Sequence, residues 1–154
     1  MIEIVDMTKA HAKEVAEIEA VTFVEPWSEK QIEELCDQYG AVARVAVDED
    51  GKVAGYYSYN SVCGDGYINN IAVREDLRGK GIGKALMRDM TYTASLSGLE
   101  GLTLEVRSSN AVARGLYESF GFKVGGIRKK FYQNTEDAVI YWLNVGGKDD
   151  FKRG

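Results

Sequence analysis

The sequence predicts an α/β protein in which helices cover both faces of a mixed α+β sheet. Several short segments alternate apolar and polar residues, other segments repeat apolar residues at helical spacing, and turn-forming residues separate the two kinds. The predicted order is β-α-α-β-β-β-α-β-α-β-β, an antiparallel meander followed by a strand–helix–strand crossover. A chain of 154 residues accommodates one core of ordinary size, so we expect a single domain over residues 1–146 and a polar tail over 147–154.

The chain begins with a predicted strand and two helices. Apolar residues within positions 2–7 indicate the strand, and Thr8 is a predicted N-cap for a helix that ends near Phe23. Ser28 and Gln31 have the spacing of a capping box, in which each residue bonds the backbone N–H of the other. This pattern predicts a second helix that begins after Ser28.

Three strands and two turns follow. Residues 41–47 and 52–62 are rich in valine, alanine and tyrosine, and the acidic turn between them contains a glycine. A second turn is predicted over residues 63–66, before a strand over 67–73. These three consecutive strands therefore predict an antiparallel meander.

The second half of the chain alternates helices and strands. Apolar residues recur every three or four positions from Ile82 and predict a helix ending near Gly98, and residues 102–106 then alternate as a strand. Asn110 opens a short helix that Gly121 ends. The last two predicted strands lie around residues 122–127 and 138–145.

Composition excludes several classes of function. The net charge of −5 disfavours nucleic-acid binding, which requires a basic face. Two cysteines far apart and a single histidine cannot form a His/Cys metal cluster, so no metal is expected. No apolar run approaches the roughly 20 residues that span a bilayer, and the first residues lack the features of a secretion signal. A cytoplasmic protein without membrane contact is the expectation.

A glycine-rich segment over residues 78–84 lies between a predicted strand and a predicted helix. Glycines 79, 81 and 83 expose backbone N–H groups, and the positive end of the helix dipole adds to their attraction for phosphate oxygens. A flexible connector is the alternative interpretation. The glycine spacing matches neither the dinucleotide GxGxxG pattern nor a P-loop. The segment therefore predicts a phosphate-containing ligand of another kind.

The pattern Arg-x-x-Gly-x-Gly at Arg78, Gly81 and Gly83 resembles the acetyl-CoA signature of the GNAT superfamily of N-acetyltransferases. The element order agrees with that superfamily over almost the whole chain. Within it, the chain resembles the RimI type, the ribosomal-protein-alanine N-acetyltransferases. The segments that carry this resemblance are 26–29, 70–73, 104–110, 116–122 and 136–138.

The resemblance implies a binding site for acetyl-CoA. It assigns backbone pairing with the pantetheine arm to residues 71–73, a cradle for the pyrophosphate to residues 79–84, and a further cofactor contact to Asn110. The full set of implied cofactor-binding residues is Ile71, Ala72, Val73, Arg78, Gly79, Lys80, Gly81, Ile82, Gly83, Lys84 and Asn110.

The resemblance also implies that Glu105 is the general base and Tyr117 the general acid. The residues alone leave alternatives open. Glu105 alternates with leucine and valine and lies on the polar face of its strand, where a solvent-facing glutamate is equally expected. Tyr117 has the helical spacing of a core aromatic residue. A phenol is a modest acid toward a thiol, so hydrogen-bond support for the departing CoA is expected as much as proton transfer.

The acceptor site is expected near Glu25, Trp27 and Tyr132, because these positions border the peptide in RimI-like proteins. Their ordinary alternatives are a solvated charge, a core anchor for the second helix and a strand aromatic, respectively. The chain departs from the RimI pattern in a short turn between Tyr132 and Glu136, in its tail, and in a tyrosine at position 141 where methionine is usual. These departures concern the identity of the substrate.

The resulting hypothesis is an enzyme that acetylates a protein N-terminus, with the N-terminal alanine of a small-subunit ribosomal protein as acceptor. An α-amino group is about 10% neutral at pH 7, whereas a lysine side chain is about a thousandth neutral or less. An N-terminal amine therefore depends less on a general base to remove its proton before attack. A lysine side chain or a polyamine is the alternative acceptor. A regulatory module that binds acyl-CoA without turnover is the second alternative. The oligomeric state is left open.

Overall fold

The computed structural model describes residues 1–132 and 136–146, and within them it contains one seven-stranded sheet in the order β1-β2-β3-β4-β5-β7-β6. The element order is the predicted one. The predicted tail over 147–154 and the turn over 133–135 lie outside the described residues. The strands are β1 (Glu3–Asp6), β2 (Ala41–Val47), β3 (Val53–Val62), β4 (Asp65–Val73), β5 (Gly101–Arg107), β6 (Lys123–Tyr132) and β7 (Glu136–Asn144). The helices are α1 (Ala12–Thr22), α2 (Glu29–Asp37), α3 (Ile82–Leu96) and α4 (Ala111–Ser119).

The helix starts follow local capping chemistry. The Ser28 hydroxyl accepts from the Gln31 backbone N–H at 3.2 Å, and the Gln31 side chain accepts from the Ser28 N–H at 2.9 Å, so the predicted capping box is confirmed. Thr8 precedes a single 3₁₀ turn (Lys9–His11), and α1 starts only after it, at Ala12. Thr8 therefore caps this turn and not α1 itself, which corrects the predicted start.

Two other boundaries differ from the sequence pattern. The turn predicted over 63–66 consists of two residues, Cys63 and Gly64, whose φ angles of 50° and 89° suit a tight hairpin, and Asp65 already pairs in β4. Strand β6 extends beyond the predicted 122–127 segment because backbone pairing with β7 continues where the apolar alternation fades.

The sheet divides the core into two layers. Buried residues of α1 and α2 pack against side chains such as Tyr56 on one face, and α3 packs against side chains such as Tyr57 on the other. The strict alternation of a strand sends these neighbouring tyrosines to opposite faces. None of the helices described is long and apolar enough to cross a membrane.

The sheet opens between its two central strands. Strands β1 to β4 form an antiparallel meander, and β4 then pairs in parallel with β5 at only three positions, Asp65–Gly101, Gly66–Leu102 and Tyr67–Thr103. Beyond Tyr67, β4 continues to Val73 without further pairs to β5, while β5 stays paired with β7 along its whole length. This separation of β4 from β5 creates a cleft at the carboxyl ends of both strands, where ligands commonly bind in open α/β sheets.

Candidate active site

Two neighbouring cavities occupy the cleft between β4 and β5. The first, of about 340 Å³, reaches helix α4 and is called the α4-side cavity. The second, of about 830 Å³, reaches strand β6 and is called the β6-side cavity. Six of the described residues line both cavities and so lie where the two meet, and four of the six are polar: Glu25, Asn69, Asn70 and Glu105.

Glu105 lies on β5 between the buried residues Leu104 and Val106. The alternation of the strand turns its side chain into the cleft, where 30% of it remains exposed. The Arg128 guanidinium lies 3.4 Å from a Glu105 carboxylate oxygen. Glu105 therefore presents a partly desolvated carboxylate to both cavities, with one cationic partner at the rim.

Tyr117 lines the α4-side cavity together with Glu105. It is buried in helix α4, and its ring contacts Phe122 edge-on and Tyr141 at a tilt. Burial raises the pKa of the Tyr117 hydroxyl above its ordinary value. A tyrosine hydroxyl keeps its proton at neutral pH even without this shift, so Tyr117 is a hydrogen-bond donor and, with its raised pKa, a weaker acid than an ordinary tyrosine.

The predicted substrate residues divide between the two cavities. Glu25 lines both, Trp27 lines only the β6-side cavity, and Tyr132 lines only the α4-side cavity. Trp27 is also half-buried against the core under α1 and α2, so it has the anchoring position expected of a core tryptophan as well as a place in the cavity wall. The Arg107 guanidinium lies 4.3 Å from the centre of the Tyr132 ring, which fixes that ring beside β5.

The residues expected to contact acetyl-CoA occupy two separate places. Ile71 and Asn110 line the α4-side cavity, and the Asn110 side-chain oxygen caps α4 by accepting from the Ala113 N–H at 3.1 Å. Ala72 is buried beneath α1, and Val73 is half-buried at the end of β4. These β4 residues pair with β3 along one edge, and the other edge has no strand partner in the described part of the chain.

The glycine-rich segment 78–84 lines neither cavity; it follows the end of β4 and leads into α3. Gly79 and Gly81 have φ angles of 81° and 85°, a left-handed conformation that favours glycine, and Gly81 is the N-cap of α3. Apart from the local backbone, no atom of the described residues lies within 4 Å of the position that a Cβ would take at either glycine. The exposed residues of the segment are Arg78, Gly79, Lys80, Gly81 and Lys84, while Ile82 is buried and Gly83 half-buried.

Arg78 connects this segment to the cleft. Its guanidinium donates to the Val73 carbonyl oxygen at 3.2 Å and to the Thr22 hydroxyl at 3.3 Å. Thr22 in turn lines the α4-side cavity. The side chain thus holds the glycine-rich segment against the end of β4 and the end of α1.

Sequence reasoning missed Glu19. It is fully buried in α1, and its carboxylate accepts from the Trp27 backbone N–H at 2.8 Å, from the Asn70 side-chain amide at 2.8 Å, and from the Tyr56 hydroxyl. Burial and this carboxylate raise the pKa of Tyr56. One signal was present, because Glu19 follows Val15 by four residues and so places a charge on the apolar stripe of its helix.

Sequence reasoning also assigned no individual role to Asn69, Asn70 or Arg128. Asn69 lies at an irregularity between β3 and β4, and its amide donates to the Ser58 hydroxyl at 3.2 Å and to the Asn60 side-chain oxygen at 3.1 Å. Two consecutive asparagines in an otherwise apolar strand were the available signal. Within residues 1–132 and 136–146, there is no cluster of three or more metal-ligating side chains.

Comparisons with known proteins agree with this geometry. The family model described as Acetyltransferase (GNAT) family matches residues 12–122. The [ribosomal protein bS18]-alanine N-acetyltransferase of Escherichia coli (strain K12) is 36% identical over 123 residues, which cover 78% of this chain and 82% of the relative. A Bacillus subtilis (strain 168) protein with the same name, given provisionally, is 37% identical over 132 residues, which cover 85% and 87%.

Solved structures show the same architecture. The crystal structure of the ribosomal-protein-S18-alanine N-acetyltransferase from Escherichia coli superposes with a TM-score of 0.85, at 31% identity and with 94% of each chain covered. The family match includes the glycine-rich segment, Glu105 and Tyr117. The chain therefore belongs to the GNAT family of acetyltransferases and is an N-acetyltransferase of the RimI-like group.

Proposed function

We propose that the protein transfers the acetyl group of acetyl-CoA to the α-amino group of a protein N-terminus, with the N-terminal alanine of a small-subunit ribosomal protein as the acceptor. The observation that carries the proposal is the presence of Glu105 and Tyr117 in one cavity at the opening of the sheet. The names of the related proteins support the choice of acceptor. Because ribosomal proteins are made in the cytoplasm, the proposed function places the protein in the cytoplasm.

The chain offers features that suit acetyl-CoA. Residues 71–73 have one edge without a strand partner, so their backbone can pair with the amide groups of a pantetheine arm. Residues 79–84 combine two left-handed glycines with the first N–H groups of α3, which suits a pyrophosphate. Asn110 would contact the ligand from the start of α4. When bound, acetyl-CoA supplies an acetyl group activated as a thioester.

Glu105 is proposed as the general base. Its carboxylate faces both cavities and can accept a proton from an acceptor amine that enters the β6-side cavity. Arg128, 3.4 Å from Glu105, would hold the carboxylate in the cleft without burying it. A neutral α-amine is more abundant at pH 7 than a neutral lysine side chain, and this difference supports an N-terminal acceptor.

Tyr117 is proposed to assist departure of the CoA sulfur. The hydroxyl is protonated at neutral pH, as a tyrosine ordinarily is, and can donate a hydrogen bond to the developing thiolate. Donation of the proton itself would complete the role of general acid, but burial raises the pKa of Tyr117 and makes it a weaker acid, which favours hydrogen-bond donation over full proton transfer. Since Asn110 and Tyr117 line the same cavity, α4 would present both groups to the reacting end of the ligand.

The acceptor is proposed to lie between the loop after α1 and strands β5 to β7. Glu25 supplies a negative charge that attracts an ammonium group, and Trp27 supplies an apolar wall in the β6-side cavity. Tyr132 would border the acceptor from the α4 side. These side chains surround Glu105, so an N-terminus bound among them would present its nitrogen to the proposed base.

The proposal is tested by measuring CoA release from acetyl-CoA with a panel of acceptors. The panel contains peptides with N-terminal alanine, the same peptides with a blocked N-terminus and an internal lysine, and spermidine. Turnover confined to free N-termini is the expected result. Turnover of the blocked lysine peptides or of spermidine alone would contradict the N-terminal assignment. Binding of acetyl-CoA without turnover of any acceptor would contradict it as well.

A further inference from the structure

We propose that Glu19 is a positioning residue for the acceptor, because it fixes the side-chain amide of Asn70 and the backbone at Trp27. The inference rests on the proposed function, since it concerns the same acceptor site. It assigns a role to a buried carboxylate that lines neither cavity of the cleft.

The Glu19 carboxylate joins three segments of the chain. One oxygen accepts from the Trp27 backbone N–H, and the other accepts from the Asn70 amide and the Tyr56 hydroxyl. Helix α1 is thereby connected to the loop after it, to β3 and to β4. All three partners are donors, and a fully buried carboxylate with this many donors is held in one orientation.

The contact with Asn70 decides which end of its amide faces the cleft. A carboxylate can only accept, so it binds the NH₂ group of Asn70 and directs the Asn70 carbonyl oxygen away from itself. Asn70 is half-buried and lines both cavities. The Asn70 carbonyl oxygen is therefore free of Glu19 and can accept a hydrogen bond from an N–H of a substrate amine or peptide.

The contact with Trp27 fixes the loop after α1, which carries proposed acceptor-site residues. The loop carries Glu25 and Trp27 into the β6-side cavity, and the Trp27 N–H is held at 2.8 Å by Glu19. One carboxylate thus determines the position of groups on two walls of the acceptor site, on β4 and on the loop. Among the described residues, Glu19 has no hydrogen bond to the glycine-rich segment, so we expect the proposed pyrophosphate site to be little affected by a change at Glu19.

The substitution Glu19→Gln separates positioning from a purely structural role. The glutamine keeps the shape of the side chain but replaces one accepting oxygen with an NH₂ group. This NH₂ group must then face either the Asn70 NH₂ group or the Trp27 N–H, and two donors cannot bond each other. An amide flip at Asn70 relieves the first conflict and turns the Asn70 NH₂ group toward the cleft. Either result disturbs the acceptor site and leaves the glycine-rich segment unchanged.

The kinetic experiment uses whichever acceptor the wild-type protein acetylates. Glu19→Gln is expected to raise the acceptor KM about 10-fold or more and to change the acetyl-CoA KM less than about 2-fold. Asn70→Ala should raise the acceptor KM similarly, and adding Glu19→Gln to it should have little further effect. Glu14→Gln is the matched control, because Glu14 lies on the same helix and, among the residues that the structure describes, its side chain accepts a hydrogen bond from the Val53 N–H alone. Equal increases in both KM values for Glu19→Gln, or full additivity with Asn70→Ala, would overturn the proposal.

A second measurement needs neither turnover nor a stable Glu19 variant. In the wild-type protein, NMR of the Asn70 side-chain amide, assigned by comparison with Asn70→Ala, should show slowed exchange of its protons with water. Exchange at the rate of a free amide would overturn the proposed contact. If the wild-type protein acetylates no acceptor while these protons are protected, the proposed function fails and the hydrogen bond itself stands, so the two failures are distinguished.

Discussion

Glu105 and Tyr117 line one cavity from two consecutive elements, Glu105 from β5 and Tyr117 from α4. Both of these elements are fixed by contacts with the rest of the fold. Strand β5 pairs along its whole length with β7, and the Tyr117 ring packs against Phe122 and Tyr141. A site that needs a carboxylate and a phenol in fixed relation gains from this arrangement, because neither group depends on a mobile loop.

Replacing Glu105 with glutamine should abolish most of the activity. The amide keeps the volume of the side chain but cannot accept a proton, and general-base catalysis contributes about 10² to 10⁴ in rate. We expect kcat to fall by about 100-fold or more while the Kd for acetyl-CoA, measured by calorimetry, stays within a factor of about two. Glu100→Gln, at an exposed position just before β5, is the control. Unchanged turnover in Glu105→Gln would remove this residue from the mechanism.

Replacing Tyr117 with phenylalanine should have a smaller effect. The ring and its contacts with Phe122 and Tyr141 remain, and only the hydroxyl of this cavity-lining residue is lost. We expect kcat to fall by about 10-fold to 100-fold with little change in thermal stability. Steady-state kinetics and a melting curve check both parts. A kcat equal to that of the wild type would contradict a role in departure of the CoA sulfur.

The glycine-rich segment can be tested with a matched pair of glycines. Gly81 and Gly51 both have positive φ, at 85° and 79°, and open space where a Cβ would be placed. An alanine at either position should cost about 1 kcal/mol of stability through backbone strain. Only Gly81→Ala should weaken acetyl-CoA binding, because Gly81 is the N-cap of α3. Equal acetyl-CoA affinity in the two variants would argue against the pyrophosphate assignment.

Glu136 gives a prediction about pH. Hydrogen bonds from Ser109 and the Arg107 guanidinium lower the pKa of Glu136. The same hydrogen bonds connect the start of β7 to the end of β5 and to the turn before α4. A lowered pKa in the folded state stabilises the protein above the ordinary glutamate pKa of about 4.3, and this contribution is lost as the pH falls through the lowered value.

Glu136→Gln should therefore have a lower Tm than the wild type at pH 7, and the difference should shrink as the pH falls below about 4. Melting curves followed by circular dichroism from pH 7 to pH 3 provide the measurement. Glu34→Gln, on the exposed side of α2, should match the wild type throughout. A Tm difference that is the same at every pH would show that the charge of Glu136 does not matter.

The sequence predicted those features that depend on neighbours along the chain. The Ser28 capping box, the start of α4 at Asn110 and the polar face of β5 at Glu105 follow from spacing alone. The extent of β6 was underestimated because it is an edge strand that is mostly exposed on both faces, so its apolar alternation is weak. The alternation of apolar and polar residues identifies a strand best where one face of the strand is buried.

The unpredicted features join distant parts of the chain. Arg128 reaches Glu105 across the intervening strand β7, and Glu19 meets Asn70 from another layer of the fold. Periodicity states which face of an element a residue occupies but not which distant side chain it meets. The cleft itself arises because pairing between β4 and β5 stops at Tyr67, and no local pattern marks that point.

The short ladder between β4 and β5 also bears on how the molecule assembles. In the described residues it is the only strand pairing between the meander β1 to β4 and the three-stranded unit β5 to β7. Its partners, such as Asp65 and Gly101, are far apart in sequence, so closing this junction costs more chain entropy than closing the adjacent hairpins. A molecule that spans the opening contacts both units and adds a further connection to those made by the ladder and by α3. Substrate binding and cohesion of the sheet are therefore linked, and unfolding should slow as the cleft fills.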